Sequence, residues 1–88
     1  MRVLAICRPA PGATPEQIAQ HVREEGQRLE QLRAAGTLLD AYSPGSPGAV
    51  LVLEAADLEE ARSFVGDLPL AAAGLIDAEL IGLYALPY

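Results

Sequence analysis

Val3 to Cys7 is an unbroken run of apolar side chains, bounded by Arg2 and Arg8 and then by Pro9, Pro11 and Gly12. Successive side chains of a strand point to opposite faces, so a strand of this kind puts apolar groups on both sides of its sheet. Val50 to Leu53 and Leu80 to Leu86 share the property. A sheet built from such strands needs cover on both faces. At 88 residues the chain has room for one domain, residues 1–88, and for a single small core. With one Phe and three Tyr, that core must be assembled from Leu, Val, Ile and Ala.

Between the apolar runs lie the signals of helices and turns. Thr14-Pro15-Glu16-Gln17 reads as a helix start: Thr14 caps, Pro15 suits the first helical position, and Gln17 completes a capping box. Ile18, Val22, Leu29 and Leu32 then recur at helical spacing until Gly36, which predicts one amphipathic helix of about 20 residues. Gly26 lies close to its apolar stripe, where close packing is the expected reason for a glycine. Thr37 to Tyr42 and Ala49 to Ala55 read as two strands of a hairpin, joined by Ser43-Pro44-Gly45-Ser46-Pro47-Gly48. Asp57-Leu58-Glu59-Glu60 is a second capping box, opening a shorter helix that Gly66 or Asp67 ends. Ile76 to Leu86 reads as the last strand.

The order strand, helix, strand, strand, helix, strand is the split βαβ pattern. It predicts an α+β, ferredoxin-like βαββαβ domain: a four-stranded antiparallel sheet with two helices on one face. The helices cover only that face. The remaining aliphatic side chains would form a large exposed patch in a lone monomer, and a partner sheet from a second copy is the simplest cover.

Composition excludes several roles. The net charge is −6 and all six basic residues are arginine, so the basic stripe of a nucleic-acid surface is missing and an anionic membrane is a poor partner. Arginine without lysine, beside abundant Ala, Gly and Leu, suggests a GC-rich bacterial genome. One cysteine, Cys7, allows no internal disulfide, and the chain starts directly in a strand pattern, so the cytoplasm is the expected location. No apolar run reaches the ~18 residues of a membrane-spanning helix.

The order and spacing of these elements resemble two related families of dimeric α+β barrels, the muconolactone isomerase-like proteins and the YCII-related proteins. Glu25 followed by Gly36-Thr37, and Leu68-Pro69-Leu70 followed by Gly82-Leu83, look like the isomerases. Arg33-Ala34-Ala35-Gly36-Thr37-Leu38-Leu39, and Asp67 before Leu68-Pro69, look equally like YCII-related proteins. That resemblance implies a pair between the residues at Glu25 and Asp67; the YCII-related pattern carries His where this chain has Glu25, and the isomerase pattern lacks an Asp matching Asp67. It further implies a cofactor-free isomerase or lyase-like enzyme, moving a proton on a small carbonyl- or lactone-containing metabolite.

The residues themselves carry two readings each. Glu25 neighbours Val22 and Leu29 on the helical wheel, so it is either a partly desolvated general base or an edge glutamate paired with Arg28 or His21. His21 precedes Glu25 by one helical turn and either tunes it or is simply solvated. No second His or Cys stands at ligand spacing, so no metal is expected. Asp67 is a further acid–base candidate or a turn-forming aspartate. Tyr42 and Tyr84 either place hydroxyls in a pocket, Tyr42 for catalysis and Tyr84 for binding, or are amphipathic rim residues. Arg8 either binds a substrate carboxylate or reaches solvent. Cys7 reads as inert packing.

Overall fold

The computed structural model describes residues 1–88. It contains β1 (Arg2–Pro9), α1 (Pro15–Ala19), α2 (Val22–Ala34), β2 (Leu38–Tyr42), β3 (Ala49–Glu54), α3 (Leu58–Gly66), α4 (Pro69–Ala72) and β4 (Ile76–Leu83). The strands form one antiparallel sheet in the order β2-β3-β1-β4. This is the expected ferredoxin-like arrangement, with β1 and β3, the strands of apolar residues, at the centre.

The first predicted helix is in fact a pair of helical segments, whereas the second runs as expected from its Asp57 cap to Gly66. The periodicity from Ile18 to Leu32 reads through a break at Gln20 and His21 that carries neither Gly nor Pro. The backbone departs from α-helical geometry at His21, with φ −111° and ψ −4°, and α1 buries none of its residues fully. After α3, Pro69 at the first helical position starts a further one-turn helix, α4. β4 stops at Leu83, short of the expected Leu86. Leu83 pairs with Arg2, the first residue of β1, so Tyr84 and its successors have no neighbouring strand to bond.

The caps are those the sequence encodes. The Gln17 amide donates to Thr14 Oγ1 at 3.2 Å and the Thr14 amide donates to Gln17 Oε1 at 2.9 Å. At the second box the Glu60 amide donates to Asp57 Oδ1 at 2.8 Å, while Glu60 Oε1 accepts from the Ala56 amide, one residue before the cap. α2 ends in a Schellman motif. Thr37 N–H reaches Leu32 O and Gly36 N–H reaches Arg33 O, with Gly36 at φ 81°, a left-handed conformation that glycine adopts without Cβ strain.

The core lies between the helices and one face of the sheet. Val3, Ala5 and Cys7 of β1 and Leu51 and Leu53 of β3 are buried there against Leu32, Ala61, Val65 and Leu68. The alternate residues Leu4, Ile6, Val50 and Val52 lie on the opposite face and are only half-buried, and Ile81 and Leu83 beside them are each 38% exposed. Gly26 departs from its expected reason: it is exposed and a Cβ there would meet nothing within 4 Å. No helix is long and apolar enough to cross a membrane.

Candidate active site

A cavity of about 240 Å³ opens between α2, α4 and the helix-facing side of the sheet. Its wall is mostly apolar, with Cys7, Ile18, Val22, Leu29, Leu51 and Leu70 prominent, and Glu25 is the one acid on it. Glu25 reaches the cavity because it follows Val22 by three residues and precedes Leu29 by four, which puts the three on one side of α2.

The local backbone then fixes the carboxyl. Proline at the start of α4 places the Leu70 amide in the first helical turn, where an N–H has no partner within the helix. That amide donates to Glu25 Oε1 at 3.0 Å. Arg28 is not a partner, since its guanidinium donates to Gln31 Oε1 at 3.1 Å. Burial pushes the Glu25 pKa above its ordinary value of 4.5, and the Leu70 hydrogen bond and the charge of His21 only partly oppose this. Cys7, buried on the floor, has its thiol pushed up to about 11, first by burial and then by the Glu25 charge. The floor of the cavity is therefore a neutral thiol beside a carboxyl whose ionised form burial disfavours.

The rim is shaped by the hairpin loop. Pro47 and Gly48 line the cavity, and Gly48 has φ 128° where the loop crosses β1. A Cβ at Gly48 would collide with the Cys7 carbonyl oxygen, so only glycine lets the loop lie this close.

The other residues singled out in the sequence fall elsewhere. His21 is half-buried at the N-cap of α2, near enough for its charge to act on Glu25, but it does not line the cavity. Asp67 is exposed at the C-cap of α3, with no hydrogen bond from its side chain to Glu25 and no share of the cavity wall. Arg8 and Tyr42 belong to the open sheet face, and Tyr84 lies beyond the end of β4, outside the cavity. Arg8 lies on the open sheet face, paired with Glu79 at 3.3 Å. Tyr42 pairs with Val50 on the same face and is 59% exposed, and Tyr84, beyond β4, is 79% exposed. No three His, Cys, Asp or Glu side chains converge as a metal site would require. The Leu70 amide was not singled out in the sequence, although Leu68-Pro69 is its signal, because a proline one residue earlier fixes that amide at a free helix end.

The profile of the YCII-related domain matches residues 1–81. The chain belongs to the YCII-related family. Solved structures share its fold, two enzymes among them. Muconolactone isomerase superposes with a TM-score of 0.77 at 21% identity, over 99% of this chain and 92% of that one. The 5-chloro-2-hydroxyhydroquinone dehydrochlorinase of Burkholderia phenoliruptrix AC1100, in complex with 2,5-dihydroxybenzoquinone, superposes with a TM-score of 0.74 at 23% identity, over 96% and 94%. At these identities the likeness establishes the fold of this YCII-related chain. No curated protein matches its sequence.

Proposed function

We propose that the protein is a small-molecule enzyme of the isomerase or lyase type, catalysing cofactor-free proton transfer on a carbonyl- or lactone-containing metabolite, with Glu25 as the base. The observation that carries this reading is the Glu25 carboxyl, half-buried on an apolar cavity wall and anchored by the Leu70 amide. A base whose pKa is raised toward neutrality is a better proton acceptor than an exposed glutamate. The carboxylate removes a proton from the carbon beside a carbonyl, leaving an enolate. The same carboxyl then returns the proton at another carbon, so no oxidant or reductant is consumed. Two fold relatives whose names denote an isomerase and a dehydrochlorinase support an enzyme over other roles.

The second reading, a non-catalytic small-molecule binder, is favoured by the same cavity having only one carboxyl, with Asp67, Tyr42, Arg8 and Tyr84 all outside it. Solvent exchange separates the two. In D₂O, unsaturated neutral lactones should gain deuterium beside the carbonyl in the presence of the protein, and Glu25→Gln should slow this by roughly 10²–10⁴-fold. Exchange that survives in Glu25→Gln eliminates Glu25 as the base; binding without exchange favours the binder. The rate should fall as pH drops through the raised Glu25 pKa, because only the ionised carboxyl accepts a proton.

The open face of the sheet supports a further part of the reading, assembly of two or more copies. Leu4, Ile6, Val50, Val52, Ile81 and Leu83 form a contiguous apolar surface, and a second copy of the same sheet would cover it in an isologous contact.

A further inference from the structure

The Glu25 cavity does not end at its rim. Pro9, Ile18, Val22 and Pro47 also line a shallow, solvent-open trough of about 300 Å³ that runs along α1 toward Pro15 and Ala19. No ionisable side chain lines the trough. In the cavity the only ionisable groups are Glu25 and Cys7, and neither supplies a positive charge. Arg8, the arginine next to Cys7 in sequence, is turned to the opposite face and held by Glu79.

We propose that this site takes an uncharged ligand with two parts: a single-ring carbonyl or lactone head in the cavity beside Glu25, and an apolar tail in the trough between α1 and the β2–β3 loop. The proposal rests on the reading of the Glu25 cavity as the reaction site. Volume supports the head: an apolar cavity of ~150 Å³ holds a benzene molecule, so about 240 Å³ suits one substituted ring. Charge supports the absence of an anion, because a ligand carboxylate here would face Glu25 on an apolar wall without a counter-ion. Continuity supports the tail. Four residues are common to both hollows, so a chain leaving the head meets Ile18, Val22 and Pro47 before it meets solvent. The proline walls are rigid and lose little side-chain entropy when a tail packs on them.

The test is titration of the ¹⁵N-labelled full chain with γ-lactones bearing methyl, butyl or hexyl chains, and with a lactone whose chain ends in a carboxylate. Affinity is expected to rise about two- to fourfold per added methylene, with amide shifts at Glu25 and Leu70 throughout, and the carboxylate-bearing lactone should bind at least tenfold more weakly than its neutral counterpart. Ala19→Lys, which places a charge in the trough, should remove the gain from butyl to hexyl. Equal affinity for the methyl and hexyl lactones, with shifts at Glu25 and Leu70, would overturn the tail subsite and leave the reaction site standing. Tighter binding of the carboxylate would overturn the preference for a neutral ligand. No shift at Glu25 with any lactone would overturn the proposal and the reading on which it rests.

Discussion

The two faces of the sheet are built by the same strands, residue by alternate residue, and they have different fates. On the helix side Val3, Ala5, Leu51 and Leu53 are sealed to 1% exposure or less, and the one acid admitted there, Glu25, is tied by a backbone amide. On the other side Leu4, Ile6, Val50 and Val52 are equally apolar but only half-covered, and they share that face with Tyr42, Asp40 and the exposed Arg8–Glu79 pair. Hydrophobicity alone therefore does not say where chemistry sits. A desolvated carboxyl needs an enclosed wall, and the helices supply one on a single face. The open face suits a flat partner instead.

If the open face is an association surface, placing a charge at its centre should matter more than anywhere else. Val52→Asp is expected to weaken self-association by roughly 3–5 kcal/mol, the scale of an unpaired charge at a buried contact, with the far-ultraviolet circular dichroism of the domain retained. Sedimentation velocity reads the outcome; an unchanged sedimentation coefficient at micromolar concentration would remove this face from the assembly. The matching change on the closed face is Leu53→Ala, directly next in sequence. There the expected loss is roughly 2–5 kcal/mol of folding stability, from lost burial plus a cavity, measured by urea denaturation. Similar urea midpoints for wild type and Leu53→Ala would mean that the two faces are not distinct in kind. The smallest effect is expected outside both, at Gly26. Its exposed helical position has room for a methyl group, so Gly26→Ala should stabilise the domain by about 1 kcal/mol, and a loss of stability would point to a role for the glycine that packing does not explain.

The layout of elements was legible in the sequence because its signals are local. Thr14 to Gln17 and Asp57 to Glu60 announce helix starts through their own side chains, Gly36 marks a helix end, and the Pro/Gly segment from Ser43 to Gly48 permits only a turn. The break at Gln20 and His21 was not legible. Nothing in those residues forbids a helix; the break shows only in the backbone of His21, at φ −111° and ψ −4°. The strand end at Leu83 was hidden too, since it depends on the register with Arg2 and not on the residues from Tyr84 onward. For the site, the spacing of Val22, Glu25 and Leu29 was enough to aim Glu25 inward. The Leu70 amide was out of reach because it meets Glu25 across 45 positions of sequence. Arg8 and Tyr42 illustrate the converse: Arg8 lies between the cavity residues Cys7 and Pro9, yet strand alternation turns it to the opposite face, and a bulge between Leu38 and Asp40 shifts the register of β2 so that Tyr42 faces the same way.

Everything functional in this picture depends on Glu25 being desolvated on the closed face. A ¹³C titration of the Glu25 side-chain carboxyl by NMR tests this most directly, with Glu25→Gln as the assignment control. Its midpoint should lie above the ordinary value of 4.5, because burial outweighs the Leu70 hydrogen bond and the His21 charge. A raised folded-state pKa favours the protonated form, so its contribution to stability should be fully present below the ordinary glutamate pKa and be lost as pH rises through the measured midpoint. Glu25→Gln should abolish that pH-dependent loss. A midpoint at or below 4.5 would mean that Glu25 is solvated or fully neutralised by its partners, and would contradict both its placement as the base and the division of labour between the two faces.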